Sequence, residues 1–169
     1  MRRMQSSGTV TLIAHRGASA LLPEHTLAAY ARAIEDGADF IEPDLVMTRD
    51  GVLVARHDRD LAASTDIASC AEFAAYAVPR ARGAGTASGW PSENLGFAQV
   101  QQLRATEPMP SLRGRAHDGR FAVPSFDEIV EFAESASRRV GRLIGVIPEI
   151  KHSTYFHQIC FAECPYLYQ

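Results

Sequence analysis

Two carboxylates stand two residues apart in DFIEPDLV (39–46): Glu42 and Asp44, inside an apolar run of Phe40, Ile41, Leu45 and Val46. In a β-strand, residues two apart share a face. Like charges that close repel unless a proton or a cation separates them. Three further polar pairs end apolar segments of the same kind: His15–Arg16, His57–Asp58, and Glu149 with Lys151. Three carboxylates without a cysteine among them suit a hard divalent cation, calcium or magnesium. Arg16 and Lys151, the chain's only lysine, suit a phosphate. His15 and His57, titrating near neutrality, suit general acid–base work on a P–O bond.

Each pair also has a plainer reading. Glu42 and Asp44 could be the solvent face of an edge strand, and His15 a core histidine. HRG could be a tight turn with Gly17 supplying positive φ. His57–Asp58 could be a turn, and Glu149/Lys151 an exposed strand face. His25, His117, His152 and His157 are read as structural. The plain readings fail jointly, because every strand would have to end in its own unrelated polar cluster.

The elements that must position these groups follow a strand–helix rhythm. TVTLIAH (9–15) reads as a buried strand. Leu27, Tyr30, Ala31 and Ile34 fall at i, i+3, i+4 and i+7, one helical face that stops at Gly37. Residues 39–47 form a second strand, TRDG (48–51) a turn, and 52–55 a short third strand. Between 60 and 120 the pattern dissolves; 77–91 reads as a surface insertion or lid, and 95–103 as a short helix. Ser125 and Glu128 make an S-x-x-E capping box before a stripe of Ile129, Ala133, Ala136 and Val140, with Gly141 as the stop. RLIGVIPEIK (142–151) is a fourth strand. The order is that of an α/β domain whose parallel strand ends converge on one mouth.

Composition narrows the class. The chain has 169 residues, 46% of them hydrophobic, and a formal charge of −3, which leaves no basic footprint for nucleic acid. No apolar run could span a bilayer, and no signal peptide is visible before the first strand. Three cysteines do not make a disulfide framework. Cys160 and Cys164 beside His157 form a weak C-x3-C pattern without a second half. Residues 155–169 hold five of the fourteen aromatics without helical or strand periodicity, and the break near 158 reads as lost native continuation.

The stretch AHRGASALLPEHTLAAYARAIEDGADFIEPDLVMTRDGVLVARHD closely resembles the opening of the glycerophosphodiester phosphodiesterase family. HRG, PE-x-T, E-x-D and HD occur in order at family-like spacing, and IPEIK resembles its E-x-K strand. The resemblance covers about residues 10–157 and loosens over 69–95, read as an insertion. It implies a TIM (β/α)8 barrel of the phospholipase C-like phosphodiesterase type, one domain over 1–169. It also implies a hydrolase that splits a small-molecule glycerophosphodiester into sn-glycerol 3-phosphate and an alcohol. By motif position His15 and His57 would be the acid–base pair. Glu42, Asp44 and Glu149 would hold the cation, with calcium before magnesium. Arg16 and Lys151 would grip phosphoryl oxygens, and Glu24 would support the cluster. The branch it resembles is bacterial, calcium-dependent and often periplasmic. A full barrel of this kind needs roughly 250 residues, so about the first half is expected here, with 158–169 as a non-native tail. Two other readings stand beside this one: a truncated or frameshifted fragment without catalysis, and a phospholipase D-like or phosphoinositide phospholipase C-like barrel enzyme.

Overall fold

A computed structural model describes residues 10–82 and 85–163, and side chains outside 80–86 and 160–163. The expectations about residues 1–9 and 164–169, and about the Cys160 and Cys164 side chains, lie outside the described residues. Strand β1 (Ile13–His15) leads into helix α1 (Leu27–Glu35), then β2 (Phe40–Glu42), β3 (Asp44–Met47) and β4 (Leu53–Ala55). Three short 3-10 turns follow, then a hairpin of β5 (Val78–Arg82) and β6 (Gly85–Gly89), a further 3-10 turn, and single-turn helices α2 (Phe97–Val100) and α3 (Pro110–Arg113). The chain continues with α4 (Phe126–Val140), β7 (Gly145–Val146), β8 (Glu149–Ile150) and α5 (Ser153–Glu163).

The second predicted strand is present but split. Pro43 has no N–H to offer the ladder, and it divides β2 from β3. Its carbonyl still accepts from Glu149 N at 2.9 Å, and Ile41 O accepts from Ile147 N at 3.0 Å. The ladder therefore runs past the break. β1, β2 and β7 are parallel in that order, and β8 continues parallel to β3. β4 is antiparallel to β3, with Leu45 opposite Ala55. The third segment thus reaches the site from the opposite direction to its neighbours, a departure from the all-parallel expectation.

Odd and even positions of the second strand serve different layers. Ile41 and Leu45 pack with Tyr30 and Ile34 of α1 and Ile129, Ala133 and Ala136 of α4. Val46 and Val54 face the other way, into a core with Leu61, Ile67, Trp90, Leu95, Leu103 and Phe156. Fully burying one such aliphatic side chain is worth about 1.5–3 kcal/mol. α1 starts where Thr26 accepts from Ala29 N at 3.1 Å. Its buried face is Ala29, Tyr30, Ala33 and Ile34; Leu27 and Ala31 of the expected stripe are only half-buried. α4 has both halves of its capping box, Glu128 N to Ser125 Oγ at 3.1 Å and Ser125 N to Glu128 Oε2 at 2.7 Å. The region 77–91 is a hairpin paired from Val78↔Gly89 inward. The helix expected over 95–103 shrinks to the single turn α2. α5 runs through residue 158.

Candidate active site

Register decides which polar side chains meet. His15 pairs with Glu42 across β1–β2, and Asp44 with Glu149 across β3–β8. Side chains in register project to one face. His15, Glu42, Asp44, Glu149 and, two residues on, Lys151 therefore share the face that strand alternation predicted for Glu42 and Asp44.

Asp44 is the centre of the cluster and is wholly buried. Its Oδ2 takes Arg16 Nε at 3.1 Å and His25 Nε2 at 3.0 Å. Its Oδ1 lies 3.2 Å from Lys151 Nζ, at ion-pair distance but without an aligned hydrogen bond from any described residue. Lys151 also contacts Glu149 Oε1 at 2.7 Å, and Arg16 NH1 contacts Glu24 Oε2 at 3.0 Å. The single hydrogen of Arg16 Nε goes to His15 Nε2, at 3.3 Å, so its approach to Asp44 Oδ2 is an ion pair. Six of the eight residues expected at the site thus join one network: His15, Arg16, Glu24, Asp44, Glu149 and Lys151. Glu42 stands half-buried in register with His15. His57 is tied only to its neighbour, with Nδ1 3.6 Å from Asp58 Oδ2. Extending the β3–β4 register one step sets Arg56 opposite Asp44, so the antiparallel turn still delivers His57 to the level of the carboxylates.

The electrostatics follow from burial and partners. Burial opposes ionisation of Asp44, yet the hydrogen bond from His25 and the Lys151 ammonium outweigh it and hold its carboxyl below the usual carboxylate range. Burial pushes the proton affinity of His25 down, and the Arg56 charge adds to this against the pull of Asp44. Desolvation opposes the Lys151 charge, but Glu149 and Asp44 win and raise its pKa.

Three residues of the site were not foreseen: His25, Tyr30 and Arg56. His25 is wholly buried, with Nδ1 3.0 Å from Tyr30 Oη and Nε2 on Asp44. Arg56 is also wholly buried; its NH1 donates to Glu24 O at 3.2 Å and Ala55 O at 3.0 Å, while Nε and NH2 have no partner among the described residues. Burial draws its pKa down to about 10, against the opposing charge of Glu24, so it stays a cation at neutral pH. The signal for Arg56 was its parity with Val54, which places a guanidinium on a buried strand face. The non-glycine residues with positive φ among those described are Arg16 (64°), His25 (58°) and His152 (53°), all in loops at this mouth. Such strain costs of order 1–3 kcal/mol per residue and collects at functional sites. Beside the mouth a cavity of about 260 Å3 opens between Asp58, the β5–β6 hairpin at Val78 and Gly89, and His152.

The donor set suits a hard cation: three carboxylates on one face, one with a buried oxygen lacking a hydrogen bond. Among the described residues no three acidic, histidine or cysteine side chains stand together at metal-binding distance. Lys151 bridges Asp44 and Glu149.

Residues 15–161 match the model of the glycerophosphoryl diester phosphodiesterase family. A glycerophosphodiester phosphodiesterase of Arabidopsis thaliana is 36% identical over 146 residues, covering 86% of this chain and 38% of that protein. One from Haemophilus influenzae is 32% identical over 168 residues, 94% of this chain and 44% of that protein. Among solved structures, a glycerophosphoryl diester phosphodiesterase from Silicibacter pomeroyi shares the fold at TM-score 0.63 and 22% identity, covering 93% of this chain and 51% of that one. A phosphodiesterase from Oleispira antarctica, solved with the product sn-glycerol-3-phosphate, shares it at TM-score 0.55 and 21% identity, covering 90% and 50%. The fold is therefore that of these barrels, and the chain spans about half the length of the solved relatives or less of the curated ones.

Proposed function

Because this chain belongs to the glycerophosphoryl diester phosphodiesterase family, we propose that it serves the metal-dependent hydrolysis of glycerophosphodiesters to sn-glycerol 3-phosphate and an alcohol. The observation that carries this reading is the Asp44-centred network, which sets a histidine, two cations and three carboxylates on one strand-end face. The product sn-glycerol-3-phosphate in the Oleispira relative supports the substrate class.

Arg16 and Lys151 grip the phosphoryl oxygens. Lys151 Nζ is ion-paired with Asp44 Oδ1 and Glu149 Oε1, so these carboxylates hold its ammonium at the site. His15 and His57 divide the proton work: one takes the proton of the attacking oxygen, and the other returns one to the alkoxide as its P–O bond breaks. Arg16 Nε donates to Nε2 of His15, so in the neutral ring the hydrogen sits on Nδ1, and Nε2 takes a proton only once that contact opens. Glu24 keeps Arg16 at its station. Members of the family are generally divalent-metal dependent. Here Glu42, Asp44 and Glu149 would hold the ion, calcium before magnesium, which supplies charge neutralisation at the phosphoryl oxygens.

A second reading, a family fragment without turnover, has one observation in its favour. Ile13 of β1 and Ile150 of β8 are 51% and 55% exposed, and Ile147 between β7 and β8 is 39% exposed, none of them covered by the core. Release of glycerol 3-phosphate from glycerophosphocholine, with and without calcium, separates the two. Loss of turnover by at least about a hundredfold in His15→Ala and His57→Ala, with calcium binding kept, supports the first reading. A folded, calcium-binding wild type that releases no product establishes the second.

A further inference from the structure

The Asp44 carboxylate must be turned so that one oxygen, and not both, is offered to the mouth. Three buried side chains in sequence do this. Tyr30, on the buried face of α1, and His25, in the loop before it, are each wholly buried, as is Asp44. Tyr30 Oη lies 3.0 Å from His25 Nδ1, and His25 Nε2 lies 3.0 Å from Asp44 Oδ2. A carboxylate cannot donate, so the hydrogen between His25 and Asp44 sits on Nε2. In the neutral ring Nδ1 is then the acceptor, and Tyr30 donates to it. Both ring nitrogens of His25 are thereby engaged, and the direction of the relay is set: tyrosine to histidine to carboxylate.

Oδ2 is consumed by His25 and Arg16, while Oδ1 is left buried without a hydrogen bond, beside Lys151. We infer that Tyr30 and His25 are positioning residues that fix the Asp44 carboxylate through Oδ2 and so present Oδ1 alone as a cation ligand. The arrangement follows the general rule that a ligand is oriented by the hydrogen bonds behind it. The left-handed backbone of His25, φ 58°, shows what this placement requires: the loop is bent to bring the ring under Asp44. Arg56, through its bond to Glu24 O, holds that bend from below. None of these residues would touch substrate. The inference rests on Asp44 serving as a cation ligand, as in the reading above.

Tyr30→Phe tests it, because it deletes one hydroxyl and keeps the ring packed against α4. Calcium affinity is read from the calcium dependence of thermal unfolding, in wild type, Tyr30→Phe, His25→Gln and the double variant. Weakening by about tenfold in Tyr30→Phe is expected, with no further loss when Tyr30→Phe is added to His25→Gln. The 15N resonances of His25 are expected to show the hydrogen on Nε2 in the wild type and in Tyr30→Phe alike, because Asp44 accepts it in both. An affinity within twofold of wild type overturns the inference, as does a full tenfold loss on top of His25→Gln, which would place the effect in packing. A hydrogen found on Nδ1 also overturns it. No calcium effect in the wild type removes the cation reading and this inference together, whereas a calcium effect that Tyr30→Phe leaves unchanged removes the inference alone.

Discussion

Gly17 and Gly51 allow backbone strain to be separated from steric clash. Both lie in the left-handed region at nearly the same angle, φ +77° and +82°. A Cβ on Gly51 would meet nothing within 4 Å. On Gly17 it would stand 2.7 Å from the carbonyl carbon of Ala29 and 2.9 Å from its Cβ and carbonyl oxygen, closer than real side chains tolerate. The obstacle is helix backbone and cannot swing aside, since Ala29 O is already engaged by Ala18 N at 2.9 Å. Each alanine variant carries a left-handed penalty of about 1–2 kcal/mol. Gly17→Ala adds an overpacking cost of about 1–3 kcal/mol. With about 2–4 °C of Tm per kcal/mol for a chain of this size, Gly17→Ala should melt about 2–12 °C below Gly51→Ala. Thermal unfolding followed by circular dichroism at one pH measures the difference directly. Equal melting temperatures would mean that the HRG loop does not rest on α1, and that the seating of Arg16 has some other cause.

Because burial lowers the proton affinity of His25, the unfolded chain gains a proton below about pH 6.5 that the folded one refuses. Stability is therefore full above that pH and falls as the pH drops through it, at up to about 1.4 kcal/mol per unit; unfolding from pH 7.5 to 5 should show this slope, and His25→Gln should flatten it. Burial opposes the Glu93 charge, but hydrogen bonds from Arg59 and Tyr155 prevail and lower its pKa. Its contribution is present above about pH 4.3 and lost in acid below it. Glu93→Gln should cost about 1–3 kcal/mol at neutral pH, and a denaturant midpoint equal to wild type would show that the Arg59–Glu93–Tyr155 contact does not hold α5. Ser125→Ala should cost about 1 kcal/mol by opening the α4 cap, and the loss should fall if Glu128 is already alanine; two additive losses would argue against a reciprocal box.

Local chemistry was legible where one residue type had one physical use. Ser125 and Glu128 announced their cap three residues apart, and both halves formed. Spacing alone put Glu42 and Asp44 on one face, because alternation in a strand admits no other arrangement. The turn at TRDG returns the next strand antiparallel, as the pairing of Val46 with Val54 shows. α5 escaped notice because residues 155–169 show no helical periodicity as a whole, yet Tyr155, Phe156 and Ile159 pack against the core. His25 and Tyr30 escaped for another reason. Each alone is an ordinary buried polar residue, and their meaning lies in a meeting with Asp44, nineteen residues from His25.

The β5–β6 hairpin has a practical use that follows from how it is tethered. Val78 is paired with Gly89, so the chain enters and leaves the hairpin at neighbouring points. Its exit is held by Trp90, whose Nε1 donates to Phe73 O at 2.8 Å and whose backbone N donates to Asp60 Oδ1 at 2.9 Å. Hairpins of other lengths and compositions can therefore be grafted between two fixed posts without disturbing the strands that hold Asp44. Since this hairpin forms one wall of the cavity beside Asp58, exchanging it as a cassette would reshape that cavity independently of the Asp44 cluster.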